Sequence, residues 1–370
     1  MFRQAPKRRA LVSSLVEVLT WPQSVDRYTE LVAPTWSRGE ARAKVVAVQR
    51  RTARSVTMTL QPNSAFPGFR AGQHLNVTVD INGRRHTRCY SPANAEGQRL
   101  IELTIGLHDG GLVSTYLRDY AHPGMVVGLT GGSGDFVLPT ARPRRILMIS
   151  GGSGITPVMS MLRTLRAERY DGEVTFVHYA RTRSEACYHD ELAAMPDVRV
   201  LHGFTRSAEA GGSARLDGGE PKLGPPHEHG DLRGHFGADH LQTAMSAPDV
   251  VYVCGPPGLV AAVRELCPDA ISEAFVAPVS APTPDPSGGR VTFRGSNVSV
   301  VDDGRPLLEQ AESAGLQPAS GCRMGICKTC TCRKTVGTVQ NLITGALSDA
   351  ENETIQICVS IPVGDVELSL

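Results

Sequence analysis

Several features are missing or scarce in this 370-residue chain, and each absence removes a class of function. No apolar run reaches the roughly 18–20 residues that cross a bilayer, so no membrane-spanning helix is predicted. Charge of one sign is not in excess: 38 Lys and Arg face 37 Asp and Glu, for a formal net charge of +1. That balance gives no reason to expect nucleic acid or electrostatic attraction to a membrane surface. No internal repeat is present. The nine cysteines form an odd set without a secretory leader, and four of them crowd into residues 322–332. A disulfide framework would spread them along a short secreted chain; clustered thiols point to metal or redox chemistry.

With 41% hydrophobic and 20% charged residues, the chain has the composition of a soluble globular protein, and its length calls for two or three domains. The expected location is the cytoplasm, with the inner face of the membrane as the alternative. Met1 to Ala10 is basic, and Leu11, Val12, Leu15, Val16 and Leu19 recur at helical spacing. Ser13, Ser14 and Glu17 interrupt the apolar stretch a signal peptide needs. A short amphipathic helix is predicted instead, packed on the protein's own body or docked to a membrane or membrane-bound partner.

The texture of the chain changes twice. Up to about Pro139 the pattern has period two: Val56, Met58 and Leu60, then Leu75, Val77, Val79 and Ile81, then Ile101, Leu103 and Ile105. Asn82-Gly83 supplies a two-residue hairpin turn. Short alternating strands with turn signals predict an antiparallel β-barrel. At Arg145 a continuous apolar run, Ile146 to Ile149, meets Gly151-Gly152-Ser153-Gly154 and then a helical pattern. This opens a parallel α/β domain, with further strands at Val174–Val177 and Val250–Val253. Residues 207–230 read as a surface loop, in which His227, Glu228 and His229 are solvated rather than metal-bound. Residues 277–289 carry four prolines and form a linker. Val291, Phe293, Val298 and Val300 begin a last domain as a hairpin. The predicted division is 1–39, an N-terminal helical extension; 40–140, the barrel; 141–276, the α/β domain; 277–289, the linker; and 290–370, the cysteine-bearing domain.

In that last domain Cys322, Cys327 and Cys330 give C-x4-C-x2-C, and Cys358 follows after 27 further residues. This is the plant-type [2Fe–2S] spacing: a tight loop wraps one edge of the cluster while a distant segment supplies the fourth thiolate. Gly321 and Gly325 let the backbone pass close to the sulfurs. Structural zinc is the competing assignment, but a zinc ribbon wants two C-x2-C knuckles and one is present. Cys332 is the surplus thiol, favoured less than Cys330. The segment resembles the plant-type ferredoxins, which implies a β-grasp fold. It differs from their acidic soluble members: nine acidic residues face seven basic ones here, and Arg323, Lys328, Arg333 and Lys334 flank the loop. Positive charge there raises the expected cluster potential and suits an acceptor with an acidic patch.

Two further motifs carry a second resemblance. Arg88-Cys89-Tyr90-Ser91 follows the predicted hairpin, with Gly110-Gly111-Leu112-Val113-Ser114 after it. Gly151-Gly152-Ser153-Gly154-Ile155-Thr156-Pro157 lies at a strand-to-helix junction, where glycines let a pyrophosphate meet the positive helix end. It is not the G-x-G-x-x-G fingerprint. Cys254-Gly255-Pro256-Pro257 closes another strand. Together these resemble the ferredoxin–NADP reductase superfamily across residues 40–276. The resemblance implies that Arg88 pairs with the FAD pyrophosphate, Tyr90 lies on the isoalloxazine face, and Ser91 hydrogen-bonds near flavin N5. Gly111, Val113 and Ser114 would donate to phosphate. Gly152, Gly154, Thr156 and Pro157 would hold the nicotinamide nucleotide, with Gly255 and Pro256 in the second turn. Cys254 would sit beside the reacting carbon, and Glu273 and Phe275 near the flavin. Thr205 and Arg206, with Arg181 and Arg183 nearby, favour the 2′-phosphate of NADPH over NADH.

Nicotinamide gives two electrons as hydride, whereas an iron–sulfur cluster takes one at a time. A flavin converts between the two, so the expected relay is NAD(P)H to FAD to [2Fe–2S] to an external acceptor. The linker would let the cluster domain swing between flavin and acceptor. The domain order resembles the reductase components of bacterial oxygenases and desaturases. With the Trp21-Pro22 to Trp36-Ser37 extension it looks most like actinobacterial reductases that serve membrane acyl-CoA desaturases. The expected partner is therefore a terminal desaturase, with peripheral membrane association through it. A ring-hydroxylating or alkane oxygenase is one alternative, and a non-catalytic electron shuttle or redox sensor is another.

Overall fold

The computed structural model describes residues 35–37, 39–108, 110–206, 231–273, 288–321, 325 and 328–370. The N-terminal helical pattern, His227-Glu228-His229, most of the Pro-rich linker, Phe275, Cys322 and Cys327 lie outside the described residues.

Residues 42–129 form a six-stranded antiparallel sheet. Its strands are β1 (Arg42–Thr52), β2 (Ser55–Pro62), β3 (Leu75–Ile81), β4 (Arg84–Tyr90), β5 (Ile101–Gly106) and β6 (Val126–Leu129), with helix α1 (Leu112–Tyr120) between the last two. The spatial order is β4-β3-β6-β1-β2-β5. Asn82 and Gly83 both take left-handed φ values of 54° and 75°, the turn geometry that matches strand twist. Past β4 the chain bridges Pro92 to Leu103, and Ala93 N–H donates to the Glu102 carbonyl at 2.8 Å. The two ends of the sheet thereby meet and the barrel closes. Leu75, Val77, Val79 and Ile81 face inward as their alternation predicts. Alternation fails at Thr57 and Thr104, which are also buried. The next domain covers that outer face: the two hydroxyls pair at 2.7 Å, and Tyr188 of that domain bonds to both Thr104 and Glu102.

The second unit is a six-stranded sheet, parallel throughout. It comprises β7 (Arg145–Gly151), β8 (Glu173–Ala180), β9 (Arg199–Phe204), β10 (Leu232–Arg233), β11 (Val250–Cys254) and β12 (Ile271–Glu273). Helices α2 (Ile155–Ala167), α3 (His189–Ala193), α4 (Ala238–Ala244) and α5 (Pro257–Leu266) connect them. The order β10-β9-β8-β7-β11-β12 reverses direction between β7 and β11. In such sheets a crevice opens at the carboxyl ends on either side of that switch point. β7 and β8 are buried on both faces, hence the unbroken apolar runs.

The last unit joins β13 (Arg290–Phe293), β14 (Val298–Val301), β15 (Thr331–Asn341), β16 (Leu347–Ser348), β17 (Glu353–Gln356) and β18 (Ser360–Leu368) into a mixed sheet. β13 and β18 run parallel, and helix α6 (Leu307–Ser313) lays Leu307, Leu308 and Ala311 on the core. This is the β-grasp arrangement of a ferredoxin domain. Among the described residues, no helix is long and apolar enough to cross a membrane.

Candidate functional site

The glycine turn after β7 and the Cys-Gly-Pro-Pro turn after β11 land side by side because their strands are neighbours, with Cys254 opposite Ser150. Gly154 shows why the pair needs glycine: a Cβ there would stand 2.2 Å from the Cys254 carbonyl oxygen. Gly152 has a φ of +55°, and nothing lies within 4 Å of where its Cβ would be. The approach to the start of α2 is therefore open. Both turns line a cavity of about 600 Å³ between the barrel and the parallel sheet. Thr156, Gly255 and Pro256 share it with Arg181 and Thr205. Thr205 follows β9 and its N–H is held by the Ala180 carbonyl at 3.0 Å; Arg206 beside it is exposed. Pro157, in the first turn of α2, is buried in the helix packing.

Burial pushes the Cys254 thiol well above the ordinary thiol range, and the Glu273 carboxylate adds to the shift. Cys254 is therefore a neutral thiol, suited to positioning and not to nucleophilic attack. Glu273 closes β12 opposite Cys254. Its Oε1 meets His74 Nδ1 of the barrel at 3.1 Å. Sequence reasoning misses His74; in Ala-Gly-Gln-His-Leu nothing marks it apart from a strand-start residue.

On the barrel side Arg88, Cys89 and Tyr90 end β4, and Ser91 follows. Burial raises the Tyr90 phenol above its usual range, partly offset by Arg88. Cys89 is buried and donates to Asn76, which fits a purely structural position. Ser91 is 2% exposed, and its Oγ has no hydrogen-bond partner; the same holds for His74 Nε2 and Glu273 Oε2. Three buried polar atoms left open fit a site that takes a polar heterocycle such as a flavin ring, since an unmet buried group costs about 1–3 kcal/mol. Gly111 caps α1. The Ser114 hydroxyl is engaged locally, accepting from His108 N–H and donating to the Gly111 carbonyl. Val113 packs into the barrel core, so its contribution to a ligand is its backbone.

Arg88 also reaches the third domain. Its Nη1 donates to the Gly321 carbonyl at 3.0 Å, one residue before Cys322. Arg88 of the barrel motif and Gly321 of the third domain, 233 positions apart, are thus in direct contact. Within the loop region Cys330 and Cys358 are buried with sulfurs 2.9 Å apart, the convergence that the long spacing requires. Cys332 is buried in the same core, with its Sγ toward the Arg333 carbonyl at 3.6 Å and not toward the Cys330–Cys358 pair. The basic rim expected around the loop loses one member. Lys334 is fully buried, and its Nζ donates to the carbonyls of Gly337 and Ala350. It sits on the inner face of β15, one position from exposed Arg333, so it is a core tie. Among the described residues the rim keeps Lys328 and Arg333.

Known proteins share this arrangement. Residues 44–138 match the oxidoreductase FAD-binding domain, 148–215 the oxidoreductase NAD-binding domain, and 291–363 the 2Fe-2S iron-sulfur cluster binding domain. The chain is 32% identical over 372 residues to an NADPH oxidoreductase of Mycobacterium tuberculosis, covering 95% of this chain and 90% of that one. It is 28% identical to a glycine betaine monooxygenase reductase subunit of Pseudomonas aeruginosa, covering 90% and 96%. In fold it is similar to phthalate dioxygenase reductase, with a TM-score of 0.60 and 24% identity over 89% of this chain and 97% of that one. The chain belongs to the family of nicotinamide-dependent oxidoreductases that join an FAD-binding, an NAD-binding and a [2Fe–2S] ferredoxin domain in one polypeptide.

Proposed function

We propose that this oxidoreductase takes hydride from NADPH onto FAD and delivers electrons singly, through a cluster on Cys322, Cys327, Cys330 and Cys358, to a separate terminal enzyme. The observation that carries this reading is the Arg88 contact with the Gly321 carbonyl. It joins Arg88 of the barrel to the residue that precedes Cys322, which supports an internal relay. FAD supplies the conversion from hydride to single electrons. Arg88, Tyr90 and Ser91 would hold it, with Gly111, Val113 and Ser114 toward its phosphates. Gly152, Gly154, Thr156, Pro157, Gly255 and Pro256 would hold the nicotinamide nucleotide. Cys254, Glu273 and Phe275 would border the ring where hydride arrives.

Thr205 and Arg206, with Arg181 on the cavity wall, favour NADPH, and the name of the mycobacterial relative agrees. The working domain boundaries 40–140, 141–276 and 290–370 contain the three matched stretches. For the client we favour a membrane acyl-CoA desaturase, on the resemblance in domain layout. The reading that competes is an oxygenase client, because a relative named a glycine betaine monooxygenase reductase subunit and another named a stachydrine N-demethylase reductase subunit align along most of the chain.

Stopped-flow mixing of the loaded protein with NADPH tests the relay. Flavin bleaching should precede the loss of cluster absorbance; a cluster that stays oxidised while the flavin is reduced refutes it. Reconstituted turnover with a desaturase against an oxygenase decides the client.

A further inference from the structure

His74 precedes β3 in the barrel, and its backbone is fixed by reciprocal hydrogen bonds with Ser133, each 3.0 Å. Its imidazole is completely buried. Gly134 makes room for it: a Cβ at that residue would stand 3.1 Å from Nδ1. Glu273 reaches the same place from the other domain, 199 positions later. The side chains of the pair are 1% and 9% exposed. Each keeps one buried atom, Nε2 or Oε2, without a partner.

On the Glu273 side, connections beyond the pair lead to the nicotinamide turns. Glu273 faces Cys254 in the parallel ladder, and its carbonyl accepts from Gly255 N–H at 3.4 Å. The Cys254 carbonyl backs directly on Gly154. A shift of Glu273 would therefore move both turns relative to the barrel. Other bonds between the two domains, such as Arg163 with Glu102, Ser160 with the Asn94 carbonyl and Tyr188 with Thr104, do not touch either turn.

We propose that His74 is a positioning residue for hydride transfer: through Glu273 it holds the Cys254 turn in register with the flavin face of the barrel. The proposal rests on the reading that nicotinamide and flavin meet at Ser91, Cys254 and Glu273. A misplacement of about 1 Å between reacting groups costs about 100-fold in rate, so a tie at this point acts on the chemical step more than on affinity.

The test uses the flavin- and cluster-loaded full chain and the variants His74→Phe, His74→Gln, His74→Asn, Glu273→Gln and the double variant His74→Phe/Glu273→Gln. Flavin reduction is followed in stopped flow across NADPH concentrations. The long-wavelength charge-transfer absorbance between nicotinamide and flavin is recorded alongside, with flavin content and melting temperature as controls. His74→Phe should lower the limiting rate about 10- to 100-fold and weaken the charge-transfer band, with half-saturating NADPH changed by about twofold at most. His74→Asn, whose amide nitrogen can stand in for Nδ1, should recover most of the rate. His74→Gln keeps polarity but cannot reach the Nδ1 position, so it should behave like His74→Phe, and it serves should the phenylalanine variant lose flavin.

Because the residues act as a unit, the double variant should be no slower than the slower single variant. Additive losses overturn the proposal, as does a His74→Gln protein that melts lower with unchanged rate and charge-transfer band. Failure of NADPH to reduce the wild-type flavin overturns instead the functional reading beneath the proposal, and the proposal with it.

Discussion

Replacing His178 with asparagine should flatten the acid side of the stability curve of the nicotinamide-binding half. His178 lies on β8 and is 1% exposed. Its Nδ1 pairs with Ser150 Oγ at 2.8 Å, and its Nε2 has no partner. Burial, with the neighbouring His202 and His189 adding to it, lowers its pKa from 6.5 to about 3. Between those values the unfolded chain binds a proton that the folded chain refuses, so stability is complete above about pH 6.5 and falls as pH drops. At pH 5 the loss is about 1.5 pH units at about 1.4 kcal/mol each, or about 2 kcal/mol. Asparagine keeps a polar atom for Ser150 but cannot titrate. The smaller side chain leaves space and costs about 1 kcal/mol or more at every pH, which shifts the curve without tilting it. Urea unfolding followed from about pH 7 to about pH 5 should show a wild-type slope steeper by close to one proton. Parallel curves for the two proteins would refute the reasoning, since they would mean His178 is protonated as readily in the fold as out of it. His202, lowered to about 4 chiefly by burial, adds a shallower slope of the same sign because it is partly exposed.

Three further outcomes follow from particular contacts. Cys330→Ser should abolish the visible absorbance of the cluster, whereas Cys332→Ser should keep it, because Cys330 has its sulfur 2.9 Å from that of Cys358 while Cys332 turns its Sγ toward the Arg333 carbonyl; the reverse result would reassign the third ligand from Cys330 to Cys332. Gly154→Ala places a methyl 2.2 Å from the Cys254 oxygen, and overpacking of that kind costs about 1–3 kcal/mol. Titration with NADP+ should show affinity about tenfold weaker or worse, and unchanged binding would contradict the close approach of the two turns. Arg163 donates to Glu102 at 2.9 Å and to Glu191 at 2.6 Å with 19% of its side chain exposed. Arg163→Met should cost about 2 kcal/mol after allowance for that exposure, seen calorimetrically as a melting point lower by about 5 °C.

Some of this protein is written in short stretches of sequence, where the physics is local. The spacing of Cys322, Cys327 and Cys330 matches what one loop needs to reach around a cluster edge, so the proposal of a [2Fe–2S] site needs no fold, and residues 291–363 do match a 2Fe-2S cluster binding domain. Asn82-Gly83 specifies its turn because both residues tolerate left-handed φ. Leu75 to Ile81 shows its inward face because successive side chains on a strand alternate. The unbroken run from Ile146 to Ile149 announces a strand covered on both faces.

Other features exist only once domains pack. Thr57 and Thr104 have the polarity of an exposed face, and it is Tyr188 from another domain that buries and bonds them. Lys334 reads as surface charge, yet the fold finds two carbonyls that let its amine lie in the ferredoxin core. The meetings of His74 with Glu273 and of Arg88 with Gly321 span 199 and 233 positions. No periodicity or spacing encodes such pairs, because they depend on how three separately folded cores settle against one another. The cofactor motifs and the order of the domains are thus legible along the chain, whereas the side chains that join one domain to the next are chosen by tertiary packing.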